Sequence, residues 1–534
     1  MPRKIIVFII SLCMVVTAAI LVVGCGKEET TKATTTMEVP QLDSGSISGL
    51  QEDGIWTYLG IPYAAPPVGE LRWKEPQPVQ AWEDVRPCTE YGPSCPQPPW
   101  TYEFSQAEMA VGEQSEDCLY LNVWTPVQSP DERLPVMLWI HGGAFLLGSG
   151  SQTLYNGHNL AEKDVVVVTI NYRLNTLGFM AHPMLSEESP NGVSGNYGLL
   201  DQIAALQWVQ NNIAAFGGDP DLVTIFGQSA GGASVCDLMV SPLAAGLFDH
   251  AIVQSGGFLS MGLPVNDDGD TLKLAERQGV KISKELDCEN EEDVLACLRE
   301  KTPQELMDAL NETSAGELGF ASIGPNIDGY VIPDNPPEMF AAGEQASVPL
   351  LIGTNANEGA YFAQDMTLEQ YRMMMSFVYG EYGDEVLALY PAQADDQVKA
   401  AFTVLLTEML FASPSKFAAA SMADVNSPAY LYKFTQLPKD PLLQPMGPFH
   451  GYEVAFVFGN LNGMAGPDDT DLSESMMNYW VDFAATGDPN GGEELEWPAY
   501  SLQTDEYQDL GTPISTQSGY YPEAYEIVLA VNEL

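Results

Sequence analysis

The sequence predicts an α/β fold, a mostly parallel central sheet with helices on both faces and long insertions. Three observations carry that expectation. Short runs rich in β-branched residues recur along the chain, each apolar almost throughout, as strands buried on both faces of a parallel sheet must be. Amphipathic helical patterns lie between them, and this alternation is the mark of a layered α/β domain. Apolar residues make up 45% of the 534-residue chain and aromatics 10%, spread throughout, which supplies a sizeable core and excludes wholesale disorder.

The strand-like runs are Val136 to Ile140, Val165 to Tyr172, Leu222 to Phe226, Ala251 to Gln254, Val348 to Ile352 and Tyr430 to Phe434. The clearest helix runs from Leu199 to Phe216, where Leu199, Ile203, Leu206, Val209 and Ile213 recur at spacings of three and four. Gly217-Gly218 supplies its stop. No repeat at solenoid periods and no break in composition marks a second domain, so residues 41–534 read as one domain.

The N-terminus orders basic Arg3 and Lys4, the apolar run Ile5 to Val23, and then Gly24 and Cys25, which is the arrangement of a secretory signal over residues 1–24. Leu21-Val22-Val23-Gly24-Cys25 resembles a bacterial lipobox, in which the thiol carries a lipid. An uncleaved membrane anchor is the alternative, since the run is nearly long enough to span a bilayer. Both readings put the protein outside the cytoplasm, anchored to the membrane or, alternatively, secreted. The stretch from Gly26 to Glu38 is Thr-, Lys- and Glu-rich, so residues 25–40 read as a flexible tether.

Acidic residues number 73 against 21 basic ones, two of which lie in the signal, so the mature chain carries a net charge of about −54. Such a polyanion is repelled by nucleic acid and by anionic headgroups. The surplus is dispersed, as on a solvated acidic surface. No protein partner is expected, and the one expected contact with a membrane is the lipid on Cys25. Without Cys13 and Cys25, six cysteines remain, which allow 15 full pairings that sequence cannot choose among. No cysteine pair has zinc-site spacing and the five histidines form no helical metal motif, so neither metal nor cofactor is expected.

The chemistry concentrates in three places. Leu222 to Gly232 reads as a strand, then Gly227-Gln228-Ser229-Ala230-Gly231, then a helix. That context turns a weak motif into a nucleophile elbow: glycines let the strand turn sharply and leave Ser229 exposed in a strained conformation. The run Leu138 to Phe145 leaves a strand and enters the glycine-rich loop His141-Gly142-Gly143-Ala144. Its small residues let backbone N–H groups face a cleft, and the oxyanion donors are assigned to Gly143, Ala144 and Ala230. A phosphate cradle is the rival, but no Lys-Ser/Thr follows and the Rossmann glycine spacing is missing.

A serine hydroxyl needs a base, and the base an orienting acid. Only His250 and His450 follow Ser229. His250 opens a strand and reads as structural, whereas His450 lies in the glycine-flanked loop Gly447 to Gly451. For the acid, Glu358 follows the strand Val348 to Ile352; the rival Asp328 sits in a turn that no strand delivers.

With these motifs in place the chain resembles the type-B carboxylesterases, the family that includes bacterial carboxylesterases and the cholinesterases. Matching stretches include Gly60-Ile61-Pro62-Tyr63-Ala64, Ser115 to Val123, Gly227 to Ala233, Val253-Gln254-Ser255-Gly256, Gly487-Asp488-Pro489-Asn490 and Trp497-Pro498-Ala499-Tyr500. The resemblance implies an α/β-hydrolase fold and cleavage of carboxylic esters through an acyl-serine. It supports Glu358 as the acid and implies that Ser255 hydrogen-bonds the Glu358 carboxylate. It also implies disulfides Cys95–Cys118 and Cys288–Cys297, leaving Cys88 and Cys236 as free thiols. Two departures argue against choline esters. The segment Phe104 to Ala110 has no tryptophan where cholinesterases bind a cation, and Gln228 stands where they have a glutamate. Two other uses of the fold are a catalytically silent, neuroligin-like binding protein and a true lipase.

Overall fold

The structure is a computed structural model that describes residues 39–99, 110–127, 131–258, 271–314, 323–461 and 467–534. The expected signal, Cys25 and most of the tether lie outside the described residues, as do Trp100 and Phe104 to Met109. From Thr36 onward the chain clusters as one compact unit.

Eleven strands form the main sheet: β1 Leu50–Glu52, β2 Ile55–Pro62, β3 Tyr120–Thr125, β4 Leu134–Ile140, β5 Val166–Ile170, β6 Gly218–Gln228, β7 His250–Gln254, β8 Leu350–Asn355, β9 Ala429–Phe434, β10 Glu506–Leu510 and β11 Ser515–Ser518. Their spatial order is β11-β10-β9-β8-β7-β6-β4-β5-β3-β2-β1. From β10 to β5 every pairing is parallel, and β11 on one side and β3, β2 and β1 on the other add antiparallel edges.

All six strand-like runs of the sequence lie in that parallel core. Nearly all their residues are buried, on both faces, and for this reason they read as continuous apolar stretches without alternation. The predicted helix is α1 Tyr197–Asn212, closed by a 3₁₀ turn through Phe216. Gly217 ends it in the left-handed conformation, φ 75°. The antiparallel edge strands escaped the sequence reading because they are short or carry mixed polarity.

The order reverses at β4: the chain steps from β4 to β5 on one side and returns to β6 on the other. In open α/β sheets the crevice beyond the carboxyl ends of the strands at such a reversal is where ligands bind. Both glycine-rich loops leave the sheet at that point, one after β4 and one after β6.

Candidate active site

Ser229 joins β6 directly to α2 Ala230–Val240 and has φ 57° and ψ −124°. A non-glycine residue held there is strained and persists only where its surroundings dictate it. The surroundings are backbone on backbone. A methyl group on Gly231 would overlap the Ile140 carbonyl at the end of β4, so only glycine lets the start of α2 come this close. The Ser229 N–H donates to the Gln254 carbonyl at 2.9 Å and fixes the turn from the β7 side.

The loop after β4 passes directly over Ser229. A Cβ on Gly142 would sit 2.7 Å from the Gln228 carbonyl oxygen and 3.1 Å from Ser229 Cβ. Gly143, Ala144 and Phe145 follow with φ 117°, 55° and 61°. Consecutive residues in this region turn the backbone so tightly that the Gly143 carbonyl accepts from both Leu146 and Leu147. The N–H groups of Gly143 and Ala144 donate to no backbone carbonyl among the described residues. Ala230 opens α2, where the N–H groups of the first turn have no helical acceptor and the helix dipole favours negative charge. His141 is fully buried and stacks on Tyr172 at 4.4 Å; burial pushes its imidazole down to about 4, so the side chain under this loop stays neutral.

Glu358 and His450 come together across 92 residues of chain. His450 Nδ1 donates to Glu358 Oε2 at 2.7 Å, and Glu358 Oε1 accepts from the Asn355 N–H at 2.6 Å. β8 delivers the acid, since it ends at Asn355 and a 3₁₀ turn, Glu358–Tyr361, follows. The imidazole is ringed by Phe362, Phe411 and Tyr361, with centroids at 4.9, 5.0 and 6.1 Å. Its Nε2 accepts from the Gln228 amide nitrogen at 3.1 Å, while Ser229 Oγ and His450 share no hydrogen bond among the described residues.

One expectation needs correction. Ser255 does not bond Glu358: its buried hydroxyl has no partner among the described residues, and the two Glu358 oxygens are engaged by Asn355 and His450. The polar work beside the acid belongs instead to residues that the sequence reading missed. Asn355 Nδ2 donates to Glu453 Oε2, and Gln254 Nε2 donates to Glu453 Oε1 at 3.2 Å. Burial, reinforced by the Glu358 charge, pushes the fully buried Glu453 carboxyl up to about 7. An acid three residues after the loop histidine, on the same short turn, was the available signal.

The rejected candidates have other duties. Asp328 Oδ1 accepts from the N–H groups of Tyr330, Val331 and Ile332, so that carboxylate holds its own turn. His250 is buried at the start of β7, with Nδ1 3.3 Å from the Ala484 carbonyl oxygen. The disulfides are Cys95–Cys118 and Cys288–Cys297, with Cys88 and Cys236 free and buried. Among the described residues no group of His, Cys, Asp or Glu is placed to hold a metal ion.

Residues 34–528 match the model of the carboxylesterase family. The chain belongs to that family. It is 38% identical over 501 residues to the fumonisin B1 esterase of Sphingopyxis macrogoltabida, covering 90% of this chain and 88% of that one. It is also 38% identical over 496 residues to the para-nitrobenzyl esterase of Bacillus subtilis, covering 90% and 96%. A solved structure of a PNB esterase superposes with a TM-score of 0.80 at 36% identity, covering 92% of this chain and all of the other. This member of the carboxylesterase family is a carboxylic-ester hydrolase with the α/β-hydrolase architecture.

Proposed function

We propose that the protein cleaves esters through an acyl intermediate on Ser229, with His450 as general base and Glu358 as the acid that orients it. The observation that carries this reading is the 2.7 Å Glu358–His450 hydrogen bond beside a strained serine at the sheet's reversal point. Glu358 accepts a hydrogen bond from the Nδ1–H, which keeps the proton on that nitrogen and leaves Nε2 as an acceptor. His450 exchanges Gln228 for the Ser229 hydroxyl, removes its proton as Oγ attacks the ester carbonyl, and returns that proton to the departing alcohol. The N–H groups of Gly143, Ala144 and Ala230 receive the charge on the carbonyl oxygen. Water repeats the sequence and frees the acid.

Replacement of Ser229 by Ala tests the assignment. Turnover of a p-nitrophenyl ester should fall by more than about a thousandfold with the unfolding midpoint unchanged, and an organophosphate should label one serine in the parent and none in the variant. Retained turnover or retained labelling would reassign the nucleophile.

The substrate reading is a neutral carboxylic ester of small to medium size. It rests on Gln228 beside the base and on Ala110 in place of an aromatic residue. For location, the lipobox-like Leu21 to Cys25 supports a lipid-anchored extracytoplasmic protein. Mass spectrometry of the mature N-terminus tests it, and an unmodified Cys25 or a chain starting at Met1 would reject it.

A further inference from the structure

One long helical segment backs both partners of the Glu358–His450 pair. α3 Asp395–Leu405 and α4 Ser413–Ser421 are joined without a break by a π-helix, Leu406–Ala412. Wide π-turns are rare, weaken the helical ladder and concentrate at functional sites. All of this one but Glu408 is buried, with Thr407 and Phe411 both 2% exposed.

Thr407 uses its hydroxyl twice. It donates to the Thr403 carbonyl at 2.9 Å and accepts at 3.0 Å from the N–H of Gly359, the residue after Glu358. The approach is tight, since a methyl group on Gly359 would overlap the Thr403 carbonyl. The turn that carries the acid is thereby pinned to the helix. One turn further on, Phe411 lies 5.0 Å from the His450 ring and stacks at 5.6 Å on Phe362, which itself meets that ring edge to face. His450 needs such walls because it sits in an irregular loop, where no regular element fixes its ring plane. On the other side of the segment, the Tyr390 hydroxyl donates to Glu408 and anchors it.

We propose that the π-helix Leu406–Ala412 is the positioning element of the triad, with Thr407 holding the acid's turn and Phe411 holding the base. Neither residue exchanges protons or electrons in the reaction. Both act on the distance and angle between Glu358 and His450, and a misplacement of about 1 Å can slow a reaction that depends on such alignment about a hundredfold. The inference rests on the triad reading, which the inactive Ser229→Ala variant and organophosphate titration test separately.

The decisive variants are Thr407→Val, which keeps the shape and removes the hydroxyl, and Thr407→Ser, which restores it. Rates are taken per organophosphate-titrated serine, so that misfolded protein does not enter. Thr407→Val leaves the Gly359 N–H buried without an acceptor. It should lower kcat for a p-nitrophenyl ester about tenfold, with KM within about twofold of the parent. The low-field proton resonance of the His450–Glu358 hydrogen bond should shift or broaden in the same variant. Thr407→Ser should recover kcat to within about threefold. Adding Phe411→Leu to Thr407→Val should give a loss smaller than the product of the single losses, because one element serves both ends of the pair. An unchanged kcat and resonance in Thr407→Val, equal loss in Thr407→Ser, or multiplicative losses in the double variant would each overturn the proposal.

Discussion

Glu453 offers a test in which the sign of an effect follows from burial and the neighbouring Glu358 charge. Its carboxyl is fully buried beside Glu358, and that burial pushes it up from 4.5 to about 7. In the unfolded chain the proton leaves near 4.5, and in the native protein it stays until about 7. Between those values the native state binds more protons, so stability falls as pH rises. The contribution is fully present below pH 4.5 and lost above about 7, and its total is about 3 kcal/mol. Most of this falls between pH 5 and pH 8.

The perturbation is Glu453→Gln, which keeps the shape and removes the titration. It also sets an amide nitrogen against one of the two donors, Gln254 or Asn355, at a cost of about 1 kcal/mol at every pH. With about 2 cal/mol/K of unfolding entropy per residue, 1 kcal/mol moves the midpoint of a chain this long by about 1 °C. We expect the variant to melt slightly below the parent at pH 5 and about 1 to 2 °C above it at pH 8. The assay is calorimetry of both proteins in matched buffers. A midpoint difference that does not change between pH 5 and pH 8 would show that Glu453 is ionised throughout and that burial does not govern it.

Removing the Cys95–Cys118 bridge by paired alanines frees a 23-residue separation and should cost about 3 kcal/mol in unfolding free energy, read from denaturant midpoints; an unchanged midpoint would contradict this. The net charge of −52 makes self-repulsion a destabilising term, so raising NaCl from low salt to about 1 M should lift the melting midpoint by a few degrees. A fall in the midpoint would show that attractive pairs dominate instead. A butyryl ester of a neutral alcohol should be hydrolysed with a kcat/KM at least about 30 times that of butyrylcholine, the value of one missing cation–π contact. Equal rates would mean that another ring, Trp100 or Tyr361, holds the cation.

What the sequence made legible has a physical pattern. Buried parallel strands are apolar on both faces, and so all six interior runs could be read; β10 and β11 carry Glu506, Asp509 and Ser515 and gave no such signal. Ser229 and the loop at Gly142 announce themselves because tight backbone approach demands glycine within a few residues. Glu358 and His450 could be brought forward as candidates by chain order and by the strands that precede them, and the structure sets them 2.7 Å apart. The support around them could not. Thr407 and Phe411 reach the turn after Glu358 and the ring of His450 through contacts between distant segments, and each has an ordinary composition and neighbourhood. The Ser255 expectation failed for the same reason: it was borrowed from resemblance, and nothing local to Val253-Gln254-Ser255-Gly256 distinguishes which side chain does the polar work. In the structure it is Gln254, held by Trp480 on one side and bound to Glu453 on the other.

Gln228 links this geometry to the choice of substrate. Glu358 engages the Nδ1–H of His450, so any group facing Nε2 of the neutral ring must be a donor. The Gln228 amide is one, and it lies at 3.1 Å. A glutamate at the same place could only accept, and would therefore demand the doubly protonated ring, the form that cannot take a proton from serine. Gln228 thus matches the ring's free acceptor and adds no charge beside the site, whereas a glutamate would supply an anion suited to a cationic alcohol group. The ring's other neighbours, Phe362, Phe411 and Tyr361, are aromatic. The proposed preference for a neutral ester therefore rests on the uncharged Gln228, since the rings alone could also receive a cation, and the long-range pull of the acidic surface on cations is screened within about 8 Å at physiological salt.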